Sequence, residues 1–557
     1  MEHTYTVVIT ETGITIGSST ITSWVSNDSE EFTAGKALLI STAEELKDFA
    51  TAVNSGISYE GITLTMTQNI DVNCSESDPW ISIGTVLPET GDYNIFKGTL
   101  DGNGYTISGL YIDDKTNLLP SLFGYIGESG CVKNLTTEGQ LTCTITNDIS
   151  YVAGISSLSY GYIYNCINKM TLNINTVVIV AGIVGYNCGI VENCVNKGSI
   201  YANSDCHMCG LVGNNAGTVL NCSNLANLES SGGGSVIGIS MGNNAGNIIN
   251  CHNSGNITGT AMIAGIILGN NAGNVINCYN TGTMSGSEYA SGIAYINTEG
   301  AINNCYNVGA FNNNQFDIGV MLSNDKGTVT NCYYSNGVFF DIIDNNISST
   351  TTYAMTENTM KSEYFTILLN NNAYDYNTNS ASTLQACAWV DVEGGYPTFD
   401  FNSKPDYTEL TSIDNIRYIE TVEDLSTFVA QVSLGSNFMG DTVTLKADID
   451  FKGSDANMWS MIGSESNRFE GLFEGGGHTI SGIYYSSLSS FSTFGMFGAI
   501  GANGKVRDLA VEGSVVLSGD MLTVASGIAY TSYGVIENCI NKIKLSGMIA
   551  GGFVYAN

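Results

Sequence analysis

The chain has 557 residues and a formal net charge of −34, from 52 acidic against 18 basic side chains. That balance excludes nucleic acid and anionic lipid as partners, since both would be repelled. Charged residues make up only 13% and hydrophobic ones 43%, which excludes a disordered acidic tail, and the length exceeds one ordinary globular core.

Residues 1–38 are rich in Thr, Ile and Val, and the alternation at 5–10 predicts a β-rich lead-in. A helix is predicted over 41–54. Thr42 and Glu45 have capping-box spacing, and Leu46, Phe49, Ala50 and Val53 fall on one face. Its expected role is to cover an open end, because unpaired strand edges are normally covered. The segments around Ile70-Asp71, 80–84 and 96–110 read as the first, atypical coils of a repeat array.

From Gly154 onward one unit is written seven times. Gly154, Gly182, Gly210, Gly238, Gly265, Gly292 and Gly319 open the units, and about twelve residues later each closes on an Asn-Cys pair. The cysteines, Cys166, Cys194, Cys222, Cys251, Cys278, Cys305 and Cys332, step by 28, 28, 29, 27, 27 and 27 residues. Such a constant period is the signature of a solenoid. The apolar runs are short, β-branched and fenced by Gly and Asn, with no 3.6-residue stripe, so the unit is made of strands. At about 3.3 Å per residue, 27–29 residues hold three short strands and three bends. The predicted fold is therefore all-β: a right-handed parallel β-helix with coils of 27–29 residues, short helical caps and tandem copies. Gly and Asn at 243–246 and 270–273 are expected to supply left-handed bend angles, and stacked asparagines to hydrogen-bond along the array.

The Gly-Leu-Val-Gly at 210–213, its variants at 182–185 and 265–269, and the Asn-Cys-x-Asn-x-Gly at 277–282 resemble the GLUG repeat of bacterial cell-surface proteins. That resemblance, covering nearly all of 39–557, implies a secreted or wall-attached, adhesin-like protein without catalytic residues of its own. It is similar to the repeat region ahead of immunoglobulin-A-cleaving zinc peptidases, but no His-Glu-x-x-His is present and the four histidines are scattered. The partners implied are a host or cell-surface protein or a glycan, with self-association into a filament as a further reading.

After Cys332 the period is lost. A second helix is predicted over 356–371, with Met360, Tyr364, Phe365 and Leu368 on its apolar side. Residues 333–402 read as a closing cap and 403–417 as a linker. The sequence then starts again: Leu425 follows Leu46 by 379 residues, and 469–482 repeats 96–109 at an offset of 373. The predicted order is a first β-helix over 39–332 and the start of a second over 418–557. No basic, apolar leader opens the sequence and 551–557 reads as the opening of a further unit. The chain is thus expected to be a piece of a longer protein, and no run is apolar enough to span a membrane.

The candidate chemistry is sparse. Cysteines stacked on their own copies have poor disulfide geometry and are expected to be free, buried thiols, which implies an oxygen-poor source. Asp71 with Asp78, and Asp450 with Asp455, could hold a calcium ion at a cap, although their spacing fits no EF-hand and solvated turn acids are the competing reading. Cys206-His207-Met208-Cys209 has metal-like spacing without a second ligand pair. Tyr279, Tyr306 and Tyr333 each follow an Asn-Cys pair and should stack as an aromatic strip on which sugars could lie, or as a purely structural ladder. The enzymatic alternative is a polysaccharide lyase or glycoside hydrolase. Asp101-Gly102-Asn103-Gly104 resembles the opening strand of such enzymes, but residues 1–416 contain no arginine.

Overall fold

The computed structural model describes residues 6–10, 13–17, 37–86, 93–115, 118–144, 151–335, 340–345, 351–355, 357–380, 382–408, 416–433, 435–455, 457–465, 467–487, 492–518 and 522–556. The rest of the predicted lead-in and most of the predicted linker lie outside these. The chain divides into two compact units, Met1–Cys332 with Ile342–Thr351, and Tyr333–Asp341 with Thr352–Asn557.

The first unit is a parallel β-solenoid. Thr6–Thr10 pairs antiparallel with Gly13–Gly17, and the sheet then continues in parallel from Gly13–Gly17 to Ala37–Ile40, Thr63–Met66, Thr99–Asp101 and Cys131–Lys133. Helix α1, Ala43–Asn54, carries the predicted capping box and buries Leu46, Phe49, Ala50 and Val53. Each later coil uses three sheets, but with more strands than the three predicted. One coil runs through Val184–Asn187, Ile190–Glu192, Val195–Asn196, Ile200–Ala202 and His207–Cys209. The extra breaks are made by asparagine. The Asn that closes each repeat unit, Asn165 through Asn331, and its counterpart Asn538 adopt a left-handed φ of 51–57°. That angle turns the chain so that the following Cys points inward. The expected left-handed bend at 243–246 falls on Ala245 (φ 63°), while Asn243 ends a strand and points into the interior.

Inside each coil, columns of Ile, Val and Leu are fully buried, as with Val191, Val219, Ile248, Val275 and Ile302. Each such side chain contributes about 1.5–3 kcal/mol relative to exposure. All fifteen cysteines are free, and the seven from Cys166 to Cys332 are buried. Their thiols donate to carbonyls, Cys194 Sγ to Glu192 O at 3.3 Å for example. Burial pushes the Cys166, Cys194 and Cys222 thiols up, so they stay protonated and inert.

Two buried asparagine columns run beside the thiols. In one, Asn168 donates to Asn196, Asn196 to Asn224, Asn224 to Asn253, Asn253 to Asn280 and Asn280 to Asn307, at 2.7–2.9 Å. In the other, Asn187, Asn215, Asn243, Asn270, Asn297 and Asn324 do the same at 2.8–3.1 Å. The left-handed asparagines form an outer column whose amides donate the opposite way, Asn277 to Asn250 at 2.8 Å and Asn304 to Asn277 at 2.7 Å. The repeat glycines answer the first column. A Cβ on Gly182 would lie 2.3 Å from the Asn196 carboxamide carbon, and one on Gly292 2.6 Å from that of Asn307.

The helices of the second unit begin with Glu357–Met360 (α2) and Glu363–Asn379 (α3), so the helix predicted at 356–371 is interrupted at Lys361-Ser362 and runs on to Asn379. A hairpin, Ala388–Val390 with Thr398–Asp400, follows. Helix α4, Val422–Ser433, repeats α1, with Thr421 and Asp424 exchanging cap hydrogen bonds. Behind it a solenoid starts afresh through Thr442–Leu445, Leu472–Glu474, Lys505–Arg507 and Val535–Glu537. Trp459 Nε1 donates to Met496 O at 3.1 Å as Trp80 Nε1 does to Leu122 O at 3.2 Å, so the copies match in packing.

Candidate functional site

The predicted sugar-stacking strip is not on the surface. Tyr279, Tyr306 and Tyr333 are 5%, 0% and 1% exposed. A ring without an accessible face offers a sugar no platform, so this expectation is corrected. His252, Tyr279 and Tyr306 instead stack face to face on successive coils, at 4.7 and 5.0 Å between centroids. Tyr333 stacks on Tyr353 and meets the edge of Phe365 of α3, while its hydroxyl accepts from Asn372. Burial in the column lowers His252 from the ordinary 6.5 to about 4. The folded protein therefore binds this proton less readily than the unfolded chain does. Stability is unaffected above pH 6.5 and falls as pH drops toward about 4. His252→Tyr, which extends the tyrosine column, is expected to flatten part of the fall in urea midpoint between pH 7.5 and 4.5. An unchanged fall would show that His252 contributes none of it.

The four candidate calcium ligands are committed to local partners. Asp71 Oδ1 accepts from Asn73 N at 3.0 Å and Asp450 Oδ1 from Lys452 N at 3.1 Å, the same turn in both units. Asp78 pairs with Lys47 at 3.0 Å, and Asp455 accepts from the Tyr484 hydroxyl at 2.6 Å. Among the described residues no three His, Cys, Asp or Glu side chains are grouped as metal ligands. In the 206–209 segment Cys206, Met208 and Cys209 are buried, and His207 Nδ1 accepts from Ser235 N at 3.3 Å. Asp101 is a structural hub. Burial pushes its carboxyl up, but hydrogen bonds from Asn134, the Asn103 amide and Lys133 outweigh that and hold it below the ordinary carboxylate range.

What sequence reasoning missed is a second apolar cluster outside the main core. The strand line of Tyr151–Ala153, Ile179–Ala181, His207–Cys209, Val236–Ile237, Met262–Ala264 and Tyr289–Ser291 meets the line of Ser156–Ser159, Val184–Asn187, Val212–Asn215, Ser240–Asn243, Ile267–Asn270 and Ala294–Asn297 at an outward-facing elbow. Phe316–Asn324 runs through the bend and pairs with both lines. The elbow floor is Ala153, Ala181, Cys209, Ile237 and Ala264, all buried. Met241, Met262, Leu268, Tyr289 and Leu322 pack over it while staying partly exposed, with Tyr295 buried among them. Tyr289 and Phe316 stack at 5.1 Å.

In the earlier coils glycine fills the same place: a Cβ on Gly185 would meet the Tyr151 Cβ at 2.7 Å, and one on Gly213 the Ile179 Cγ2 at 2.7 Å. The signal was available. Three residues after the repeat glycine the sequence reads Gly185 and Gly213, then Met241, Leu268, Tyr295 and Leu322.

No family model matches the chain, so its GLUG-like motifs stand as a resemblance. Halomucin of Haloquadratum walsbyi is 29% identical over 168 residues, which is 29% of this chain and 2% of that protein. A provisionally assigned Gly-rich membrane protein of Evansella cellulosilytica is 31% identical over 147 residues, 25% of this chain and 16% of that protein. The chain thus spans a small part of the curated relatives it matches. A crystal structure of a provisionally assigned immunoglobulin A1 protease from Bacteroides ovatus aligns with 66% of this chain and 93% of its own, at 15% identity and a TM-score of 0.29, too low to carry an argument. Among the described residues no helix is long and apolar enough to cross a membrane. Over 25% and 29% of its length, then, this β-solenoid is similar to a protein named for a membrane and to one named halomucin.

Proposed function

We propose that the chain is an extracellular, cell-surface solenoid protein that holds a neighbouring macromolecule, a host or cell-surface protein or a glycan, without chemically changing it. The observation that carries this reading is the elbow. A contiguous, partly exposed apolar strip marks an interaction surface, and this one runs over Met241, Met262, Leu268, Tyr289 and Leu322 on successive coils. The two relatives, named for a mucin and a membrane, support the location. A lyase or hydrolase on this scaffold would need carboxylates or a lysine on the floor of its groove. The floor of this elbow is built of Ala, Cys and Ile. The column of free thiols supports an oxygen-poor habitat.

The test has two arms. Impermeant biotinylation of intact source cells is expected to label the chain; labelling only after lysis would contradict the location. Purified protein is expected to adhere to whole cells or a glycoprotein-coated surface, and Met262→Ser with Tyr289→Ser to weaken adhesion at least tenfold. Unchanged adhesion would contradict the elbow, and concentration-dependent polymers in sedimentation would favour a filament instead.

A further inference from the structure

The tandem copies provide an internal comparison at one corner, where each solenoid turns by left-handed residues. In the first unit this corner is filled by structural hydrogen bonds. Asn103 (φ 52°) donates its amide to Met66 O at 3.4 Å, Asn134 (φ 52°) donates to Asp101 at 3.0 Å, and Asn165 donates to Asn134 at 2.8 Å. Asn69 Oδ1 accepts from Thr106 N at 2.9 Å. The second unit keeps the backbone and changes the side chains. Gly476 (φ 60°) stands for Asn103, Asp508 (φ 54°) for Asn134, His478 for Tyr105 and Asp448 for Asn69. Asp448 Oδ1 accepts from Thr479 N at 2.8 Å, as Asn69 does from Thr106, and lies 3.3 Å from His478 Nδ1.

The consequence is space. Where Asn103 reaches the Met66 carbonyl, Gly476 has no side chain, and it borders a recess of about 460 Å³, open to solvent and lined by Gly476, Gly477, Asp508, Leu509, Asn538 and Ile540 among others. The His478 ring lies beside Gly476, with Cδ2 3.5 Å from where a Gly476 Cβ would be, and its Nδ1 faces Asp448. The volume falls within the roughly 300–1,000 Å³ of small-molecule sites. Asp508 and Asn538 come from successive coils, about 4.8 Å apart. They present a carboxylate and a carboxamide, which between them accept from and donate to hydroxyl groups. Ile540, 55% exposed, adds apolar surface for carbon-bound hydrogens, while Leu509 is buried beneath the floor. In a chain of net charge −34, with Asp508 on the wall, an anionic ligand is disfavoured.

We propose that this corner of the second unit binds a neutral pyranose sugar, with Asp508 and Asn538 engaging adjacent hydroxyls and Ile540 meeting its apolar face. It deepens the surface-binding reading by naming a glycan subsite, and it is separable from the elbow, which lies in the other unit.

The first unit supplies the test variants. Gly476→Asn and Asp508→Asn install residues that the first copy already carries in the same backbone conformation, so both should fold, which circular dichroism checks. Saturation-transfer NMR and calorimetry on the full chain would use the methyl glycosides of glucose, galactose, mannose and N-acetylglucosamine, with glucuronate as the anionic comparison. At least one neutral glycoside is expected to bind. Gly476→Asn should abolish binding and Asp508→Asn weaken it at least tenfold, while Met262→Ser with Tyr289→Ser leaves it unchanged. No saturable binding of any neutral glycoside, preference for glucuronate, or binding that survives Gly476→Asn would each overturn the proposal. Loss of binding in the elbow variant alone would place the sugar in the elbow and overturn this site while sparing the broader reading.

Discussion

Gly210→Ala is expected to destabilise the first unit by about 3 kcal/mol or more, read as a fall in the urea midpoint of its β-sheet signal. The glycine is not needed for a left-handed angle, since its φ is not in that region. It is needed because the added Cβ would lie 2.1 Å from Gly238 O on the next coil and 2.4 Å from the Asn224 carboxamide carbon. Neither neighbour can retreat: one is backbone in a parallel ladder, the other is held by Asn196 and Asn253. Gly269→Ala is the control. The nearest atom to its Cβ is Met241 O at 3.8 Å, so the change should fall within about 0.5 kcal/mol of neutral. Equal effects at the two sites would show that glycine content, not the seat against the asparagine column, sets the requirement.

Asn224→Leu is expected to be comparably damaging, at about 3 kcal/mol. It removes the acceptor for Asn196 and the donor to Asn253, both buried, and the contacts to the Ala226 backbone. Two stranded polar groups cost about 1–3 kcal/mol each, and leucine leaves no room for a replacement water. Because the column is directional, Asn196 would lose a bond through its amide and Asn253 through its oxygen. A melting temperature within a degree or two of the parent would mean that the column contributes little beyond packing.

Much of this was legible in the sequence, for a definite reason. A residue that recurs every 27–29 positions must stack on its own copy, so the cysteine column and the parallel ladder follow from counting. The α1 cap was readable because Thr42 and Glu45 announce a helix start locally. What the period cannot express is contact between different positions of one coil. The pairing of Gly182 with Asn196 and the elbow between two strand lines are such contacts. The tyrosines illustrate the limit most clearly. Their stacking followed from register, but whether the outer face of Tyr306 met solvent depended on what else packs there, and it is buried. The exchange of Asn103 for Gly476 is legible at the 373-residue offset, but the recess beside it depends on how Asp508 and Asn538 of the following coils line up against Gly476, which no offset states.

The central claim is that each coil is an interchangeable layer that contacts only its neighbours. Deleting residues 239–265 removes one layer of 27 residues and joins Gly238 to Ile266, so that Asn224 would stack on Asn280. The protein is predicted to remain folded, with an unchanged β-sheet spectrum per residue and a cooperative unfolding transition, whereas deleting residues 239–252 throws every column out of register and should abolish that transition. Equal damage from the two deletions would contradict the account.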